Sequence, residues 1–263
     1  MITIAVSGKG GVGKTTIAAG LARALARSGR QVIALDMDPS PNLHLSLGCG
    51  KSLDPEKLVP LTGREDLILE RTGAAPGAPG SVFRINPVVS DIPEKFGIRC
   101  LDNVLLLVLG TIRTGGGGCF CPANAFAKRL VDSLRRSTDV LVMDMEAGVE
   151  HLGRGTTKGA EILLVVVEPG RKSFETARQI AKLARDLGIP RVFGVLNKVK
   201  GEPAPDLIRE LGEAGITPVF ALPYDEVVAE ADREGVAVSD LPGGGIFAQR
   251  MSELARVIQE RSG

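Results

Sequence analysis

The sequence predicts a doubly wound, mostly parallel α/β sheet flanked by helices, and three features predict it. Short runs rich in Val, Ile and Leu recur along the chain: ITIAV (2–6), QVIALD (31–36), NVLLLV (103–108), VLVMD (140–144), ILLVVV (162–167), VFGVL (192–196) and TPVFAL (217–222). Near-continuous apolar runs suit strands covered on both faces, the environment of a parallel sheet. Helical spacing separates several of these runs, and strand–helix–strand alternation argues right-handed crossovers. A glycine loop, GKGGVGKT (8–15), stands at the first junction between a strand and a helix.

Taken in order, ITIAV is the first strand and runs straight into the glycine loop. TTIAAGLARALARS follows as a helix, with Ile17, Leu21 and Leu25 four residues apart on one face. QVIALD is the second strand. The region from about 39 to 100, with GAAPGAPG near its middle, breaks the alternation and reads as an excursion from the sheet, part helix and part mobile loop. The next two runs, NVLLLV and VLVMD, return to the sheet. After ILLVVV, the helix FETARQIAKLARDLG ends at Gly188, and VFGVL and TPVFAL add two further strands. GIFAQRMSELARVIQERSG is a closing amphipathic helix whose mixed charges favour docking on the core over lying on a membrane. At 263 residues with no repeat of fixed period, one domain over 1–263 is expected.

Composition excludes several classes. No apolar run approaches the roughly 18 residues of a membrane span. A net charge of +1 with interspersed signs gives no polybasic field, so neither nucleic acid nor membrane is an expected partner. The N-terminus has neither a basic start nor a small-residue cleavage site, which leads to an expectation of cytoplasmic residence. Four cysteines then point to reduced thiols used for metal or redox chemistry rather than to a disulfide framework.

The glycine loop fits G-x-x-x-x-G-K-[ST] in the strand-to-helix context that the pattern requires, so the fold is a P-loop nucleotide-binding fold. Backbone N–H groups of Gly8, Gly10, Gly11, Val12 and Gly13 converge on phosphate oxygens, and the helix N-terminus beginning with Lys14, Thr15 and Thr16 adds its positive dipole end. Lys14 reaches the terminal phosphates and Thr15 binds Mg²⁺. Asp36 and Asp38 fall on one side by the two-residue period of a strand. Asp144 ends VLVMD, where it would hold Mg²⁺ through water. Asn197 and Lys198, in GVLNKV, lie just past a strand at the carboxyl edge where ligands of such sheets collect.

KGGVGKTT resembles the deviant Walker A signature of the MinD/ParA/NifH class of ATPases. That resemblance implies ATP hydrolysis by a nucleotide-sandwich homodimer, with Lys9 crossing to the partner's phosphates. It also implies Asp36 in the Mg²⁺ surroundings, Asp38 at the attacking water in switch I, and Asn197 with Lys198 at the adenine. Pro223, Tyr224 and Asp225 then close over the base. After Asp144 this chain reads DMEAGVEHLGRGT, which departs from the cell-division and partition branches. With LILERTG, RINPVVSDIPEKFG and GGGGCFCP, it resembles the CooC/AcsF-type nickel-insertion ATPases of carbon monoxide dehydrogenase and acetyl-CoA synthase.

Cys119 and Cys121 are poorly spaced for joining their sulfurs to each other, and two thiolates fill half of a tetrahedral shell. The resemblance implies that the pair meets its twin across the dimer axis, giving four thiolates suited to Ni²⁺ or Zn²⁺. Cys49 and Cys100 each stand alone and are expected to be structural. His44 and His151 either relay metal or pack as hydrogen-bonded histidines, and Glu146 and Glu150 either couple to the nucleotide or are solvated. The expectation is therefore a Mg²⁺-dependent ATPase serving a nickel-enzyme client. Its rivals are an iron–sulfur carrier of the Mrp type and a ParA/MinD-like positioning ATPase.

Overall fold

The computed structural model describes residues 1–50, 53–76, 82–111, 121–147 and 159–261. Its centre is an eight-stranded sheet in the order β3-β4-β2-β5-β1-β6-β7-β8. The strands are β1 (Ile2–Gly8), β2 (Val32–Asp36), β3 (Ile98–Arg99), β4 (Leu105–Val108), β5 (Val140–Asp144), β6 (Ile162–Val167), β7 (Arg191–Val199) and β8 (Thr217–Pro223). Every neighbouring pair is parallel except β3 with β4. All seven apolar runs of the sequence are strands, as expected for residues covered on both faces.

The pleat assigns successive residues of β1 to opposite layers. Ile4 and Val6 join Ile17, Leu21 and Leu25 of α1 (Lys14–Arg27), together with Met251, Leu254 and Ile258 of α9 (Gly244–Glu260). Ala5 faces the other layer, formed by Phe126, Leu130 and Leu134 of α5 (Cys121–Ser137) and by Phe174, Ala177 and Ile180 of α6 (Arg171–Asp186). Each fully buried Leu or Ile contributes about 1.5–3 kcal/mol, so the two layers hold the sheet on both sides. The closing amphipathic helix expected at the C-terminus is α9, and it lies against α1.

The helical part of the excursion is present among its described residues, while the second half of GAAPGAPG, at 77–80, lies outside them. Among its described residues are α2 (Leu43–Ser46), short 3₁₀ turns at Pro55–Leu58 and Leu61–Gly63, α3 (Glu65–Thr72) and α4 (Ile92–Phe96). The Arg71 guanidinium grips Asp91 through two parallel bonds of 2.9 and 2.7 Å, which tie α3 to the residue before α4 and hold the Asp91 carboxyl well below the usual range. The excursion ends on β3, too short to show any periodicity in sequence, which pairs antiparallel with β4 at the edge of the sheet.

That edge strand overturns the expectation that Cys49 and Cys100 stand alone as thiols. They form a disulfide across 51 positions of sequence, because β3 brings the end of the excursion back beside its beginning. Closing a loop of that length restricts the unfolded chain by about 4 kcal/mol in the chain-entropy model. Cys49→Ser is expected to lower unfolding stability by about 2–4 kcal/mol, read as a lower denaturant midpoint with a steeper slope, because the released unfolded chain exposes more surface. An unshifted midpoint would mean the bond contributes nothing. The edge keeps a second anchor, Arg23 of α1, whose Nε donates to Asp102 at 2.6 Å and whose Nη1 donates to Ser239 at 2.7 Å.

Candidate nucleotide and metal site

The carboxyl ends of β1, β2, β5, β6 and β7 converge where α1 begins. Gly13 precedes α1 in a left-handed conformation (φ 94°), and a Cβ there would lie 2.5 Å from Asn197 Nδ2, so only glycine fits. Asn197 Nδ2 in turn donates to the Val12 carbonyl at 2.8 Å, and Lys198 Nζ donates to the Gly11 carbonyl at 2.6 Å. These two bonds tie β7 to the glycine loop. Asn197 and Lys198 belong to β7 itself, at a register irregularity between Leu196 and Val199 where Lys198 adopts φ 58°. The sequence expectation that they follow the strand is corrected to that extent: a bulge re-aims the strand's end toward the loop.

One cavity of about 480 Å³ joins the two halves of the expected nucleotide site. Gly11, Gly13, Lys14, Thr15 and Thr16 line it together with Asn197, Lys198, Pro223, Tyr224 and Asp225. Asp225 caps α8 (Glu226–Glu234) by accepting from Val227 N at 2.9 Å, so its carboxylate has a structural duty there. Phe247 and Arg250 of α9 complete the wall, and the local sequence gave no sign of them because α9 arrives from the far end of the chain.

The acidic end is deeply buried. Asp36 and Asp144 are register partners on adjacent strands, and Asp144 is 3% exposed. Burial first, then the Asp36 carboxyl beside it, pushes Asp144 up to about 7, against a hydrogen bond from Thr15 that favours the charged form. Asp144 Oδ1 has no partner among the described residues. A buried carboxylate oxygen left open beside the Thr15 hydroxyl fits a Mg²⁺ ion, which would supply the compensating charge.

Asp36 does different work. Its carboxylate accepts the backbone N–H of Asp38, Asn42 and Leu43 at 3.0–3.1 Å, building the turn that carries Asp38 and starts α2. Burial raises Asp36 to about 6 despite those bonds. Asp38 lies beyond the end of β2 in that turn, so the strand period does not set its direction.

Both raised carboxyls give a pH dependence with a definite sign. The folded values stand above the ordinary 3.8, so stability of the nucleotide-free protein should fall as pH rises from about 4 to about 7. Cation binding needs the ionised form, so Mg²⁺-dependent nucleotide affinity should strengthen from pH 6 to pH 8, with proton release in calorimetry. Asp144→Asn should flatten that dependence. A wild-type affinity constant across this range would contradict the assignment.

Lys14 is buried, its Nζ donates to the Lys9 carbonyl at 3.3 Å, and burial lowers its pKa against the attraction of Asp144, Asp38 and Glu146. Lys9 Nζ rests 4.0 Å from Glu168, which also meets Lys198 at 3.9 Å. Glu168 is thus a resting partner for Lys9 within its own protomer, and sequence reasoning missed it. Its only signal was a carboxylate following ILLVVV.

The metal half of the expectation is described in part. Cys121 opens α5 at the surface and is disulfide-bonded in this structure, so a thiolate there requires reduction, and the expectation of reduced thiols is corrected. Cys119, Glu150 and His151 lie outside the described residues. His44 sits in α2 with Nδ1 buried and unpartnered among the described residues, and burial lowers its pKa. No group of three His, Cys, Asp or Glu side chains among the described residues is placed to hold a metal. No helix among them is long and apolar enough to cross a membrane.

A buried carboxylate pair beside a glycine loop, on a parallel sheet of this order, defines a P-loop nucleotide-binding protein. The chain belongs to the CobQ/CobB/MinD/ParA nucleotide binding domain family, whose model matches residues 3–238, and it is an ATPase of that family. It is 40% identical over 241 residues to the carbon monoxide dehydrogenase accessory protein CooC of Rhodospirillum rubrum, covering 90% of this chain and 89% of that one. It is 44% identical over 240 residues to an uncharacterized ATP-binding protein of Methanocaldococcus jannaschii, covering 90% of each. Among solved structures, the septum site-determining protein MinD complexed with Mg-ADP from Pyrococcus horikoshii shares the fold. The TM-score is 0.69 at 20% identity, over 100% of this chain and 97% of that one.

Proposed function

We propose that this chain is an ATP-hydrolysing, nucleotide-dependent homodimer that inserts nickel into an enzyme of the carbon monoxide dehydrogenase or acetyl-CoA synthase type. The observation that carries the proposal is 40% identity to CooC along nearly the whole of both chains, in a sequence that also holds the Cys119–Cys121 pair.

In this reading ATP lies along the 480 Å³ cavity, with its base among Asn197, Pro223, Tyr224 and Asp225 and its phosphates on Gly8 to Thr16. Thr15, with Asp144 and Asp36 nearby, would hold Mg²⁺, which would supply positive charge to the phosphates. Lys14 meets the terminal phosphates of its own protomer. Lys9 leaves Glu168 and crosses to the partner's phosphates, where a second cation stabilises charge developing in phosphoryl transfer. Asp38 orients the attacking water. Closure brings the reduced Cys119 and Cys121 of both protomers into one four-thiolate site for Ni²⁺ or Zn²⁺, so metal affinity is linked to nucleotide state.

The test is maturation of a nickel-free client. Purified protein with ATP and Ni²⁺ should restore client activity, and Cys119→Ser should fail while still hydrolysing ATP. Equal restoration by Ni²⁺ alone would contradict the proposal. Iron and acid-labile sulfide in the purified dimer would support a cluster carrier instead.

A further inference from the structure

The segment that carries Asp38 is fastened at both ends. At its start the Asp36 carboxylate, fixed in β2, accepts the backbone N–H of Asp38, Asn42 and Leu43 at 3.0–3.1 Å and so sets the turn and the first residue of α2. At its end Cys49, whose N–H donates to the His44 carbonyl at 3.1 Å, is bonded to Cys100 just past β3. Between these ties Leu43 and Leu47 are buried in the layer of α1. On its other side α2 meets a cavity of about 350 Å³, lined by Leu45 and Ser46 of α2, by Asp232 and Val238, and by Thr15 and Thr16 of α1. With the bond closed α2 is held at the rim of that space. With the bond open it has room to shift.

We propose that the Cys49–Cys100 bond is a redox switch on ATP hydrolysis: closed, it fixes the Asp38 turn for turnover, and opened by a dithiol it lets α2 shift and slows the reaction. The catalytic part given to Asp38 rests on the function proposed above. Cys49 and Cys100 are both partly exposed at the edge of the sheet, so a dithiol can reach them. One thiolate of the reagent attacks one sulfur, and the other sulfur leaves as a thiolate and takes up a proton. The reagent's second thiol then displaces the first protein thiol and closes its own disulfide, so two electrons and two protons pass to the protein. The Asp38 charge is felt at Lys14, so the stapled turn already stands within electrostatic reach of the place assigned to the terminal phosphates. Nucleotide affinity depends on other ties. Arg23 holds Ser239, in the turn after α8, and Asn197 and Lys198 hold the glycine loop, all without a cysteine. Reduction should therefore act on kcat rather than on KM.

The test compares the full-length protein, oxidised and after dithiothreitol, with Cys49→Ser/Cys100→Ser. Reduction should lower wild-type kcat about tenfold, inside the roughly hundredfold loss that a misplacement of about 1 Å causes. KM for ATP should stay within about threefold, and reoxidation should restore kcat. The double variant should begin at the low kcat and show no further response to dithiothreitol. If it fails to fold, Cys49→Ala/Cys100→Ala, which places no hydroxyl at the edge, takes its place. Thiols trapped with iodoacetamide and located by mass spectrometry report which bond has opened. Wild-type kcat unchanged while Cys49 and Cys100 are trapped as thiols is the result for a bond that only stabilises the fold, and it would overturn the proposal. A response of the same size in the double variant would assign the effect to Cys121 and overturn it equally. Asp38→Ala separates this inference from the reading beneath it. Full turnover in that variant removes the part given to Asp38, whereas slow turnover there beside a redox-insensitive wild type removes only the switch.

Discussion

Lys14→Ala is expected to weaken ATP binding by at least about thirtyfold. Removing one partner of a buried, hydrogen-bonded charge pair costs about 2–5 kcal/mol, and a tenfold change in affinity corresponds to about 1.4 kcal/mol. Lys14 is held ready for that role: it is buried, bonded to the Lys9 carbonyl, and flanked by three carboxylates whose charges oppose the burial penalty. Without it the loop offers only backbone donors and the dipole of α1, worth about 0.3–1 kcal/mol in ordinary settings. Calorimetric affinity equal to wild type would mean the loop does not bind phosphates in the way assigned.

Lys9→Gln should separate binding from turnover. Lys9 is more than a third exposed and rests against Glu168 at 4.0 Å, a weak surface contact that is cheap to break. A cation supplied across an interface to a transferring phosphoryl group is worth about 10³–10⁵ in rate, so turnover should fall by that order. Nucleotide affinity of the single protomer should change little. Glutamine removes the charge and keeps a polar end on a side chain one atom shorter than lysine. Turnover near wild type would show that Lys9 does not act on phosphate.

The contrast between these two lysines marks how far the sequence could be read. Lys14 and its glycines are recognisable because one short segment supplies strand end, loop and helix start, and spacing alone defines them. The seven strands were legible for the same local reason: a buried parallel strand advertises itself as an unbroken apolar run. What stayed hidden depends on distant parts of the chain meeting. Two residues of β3 carry no pattern, yet that edge strand closes the excursion and joins Cys49 to Cys100. Phe247 and Arg250 reach the site from α9 with nothing in their neighbours in sequence to announce it, and Glu168, just past β6, had only its position after an apolar run.

The carboxylates show an intermediate case. Asp36, Asp38 and Asp144 were identifiable as a set because each ends or follows an apolar strand. Their division of labour was not, since it depends on which N–H groups the turn delivers. Asp36 is occupied with the backbone of Asp38, Asn42 and Leu43, while Asp144 keeps an oxygen open among the described residues. Asn197 was expected just past the strand and lies within β7, where its bond to the Val12 carbonyl gives it a duty to the loop that a base-contact assignment did not foresee.

The cysteine pair decides between a metal carrier and an ATPase without metal cargo. The most direct measurement is the metal content and mass of the reduced protein, equilibrated with Zn²⁺ and a non-hydrolysable ATP analogue, compared with Cys119→Ser treated identically. The account predicts one Zn²⁺ per dimer in the wild type, with proton release on binding, and loss of that metal in Cys119→Ser while nucleotide remains bound. One Zn²⁺ per monomer, retained in Cys119→Ser, would contradict it.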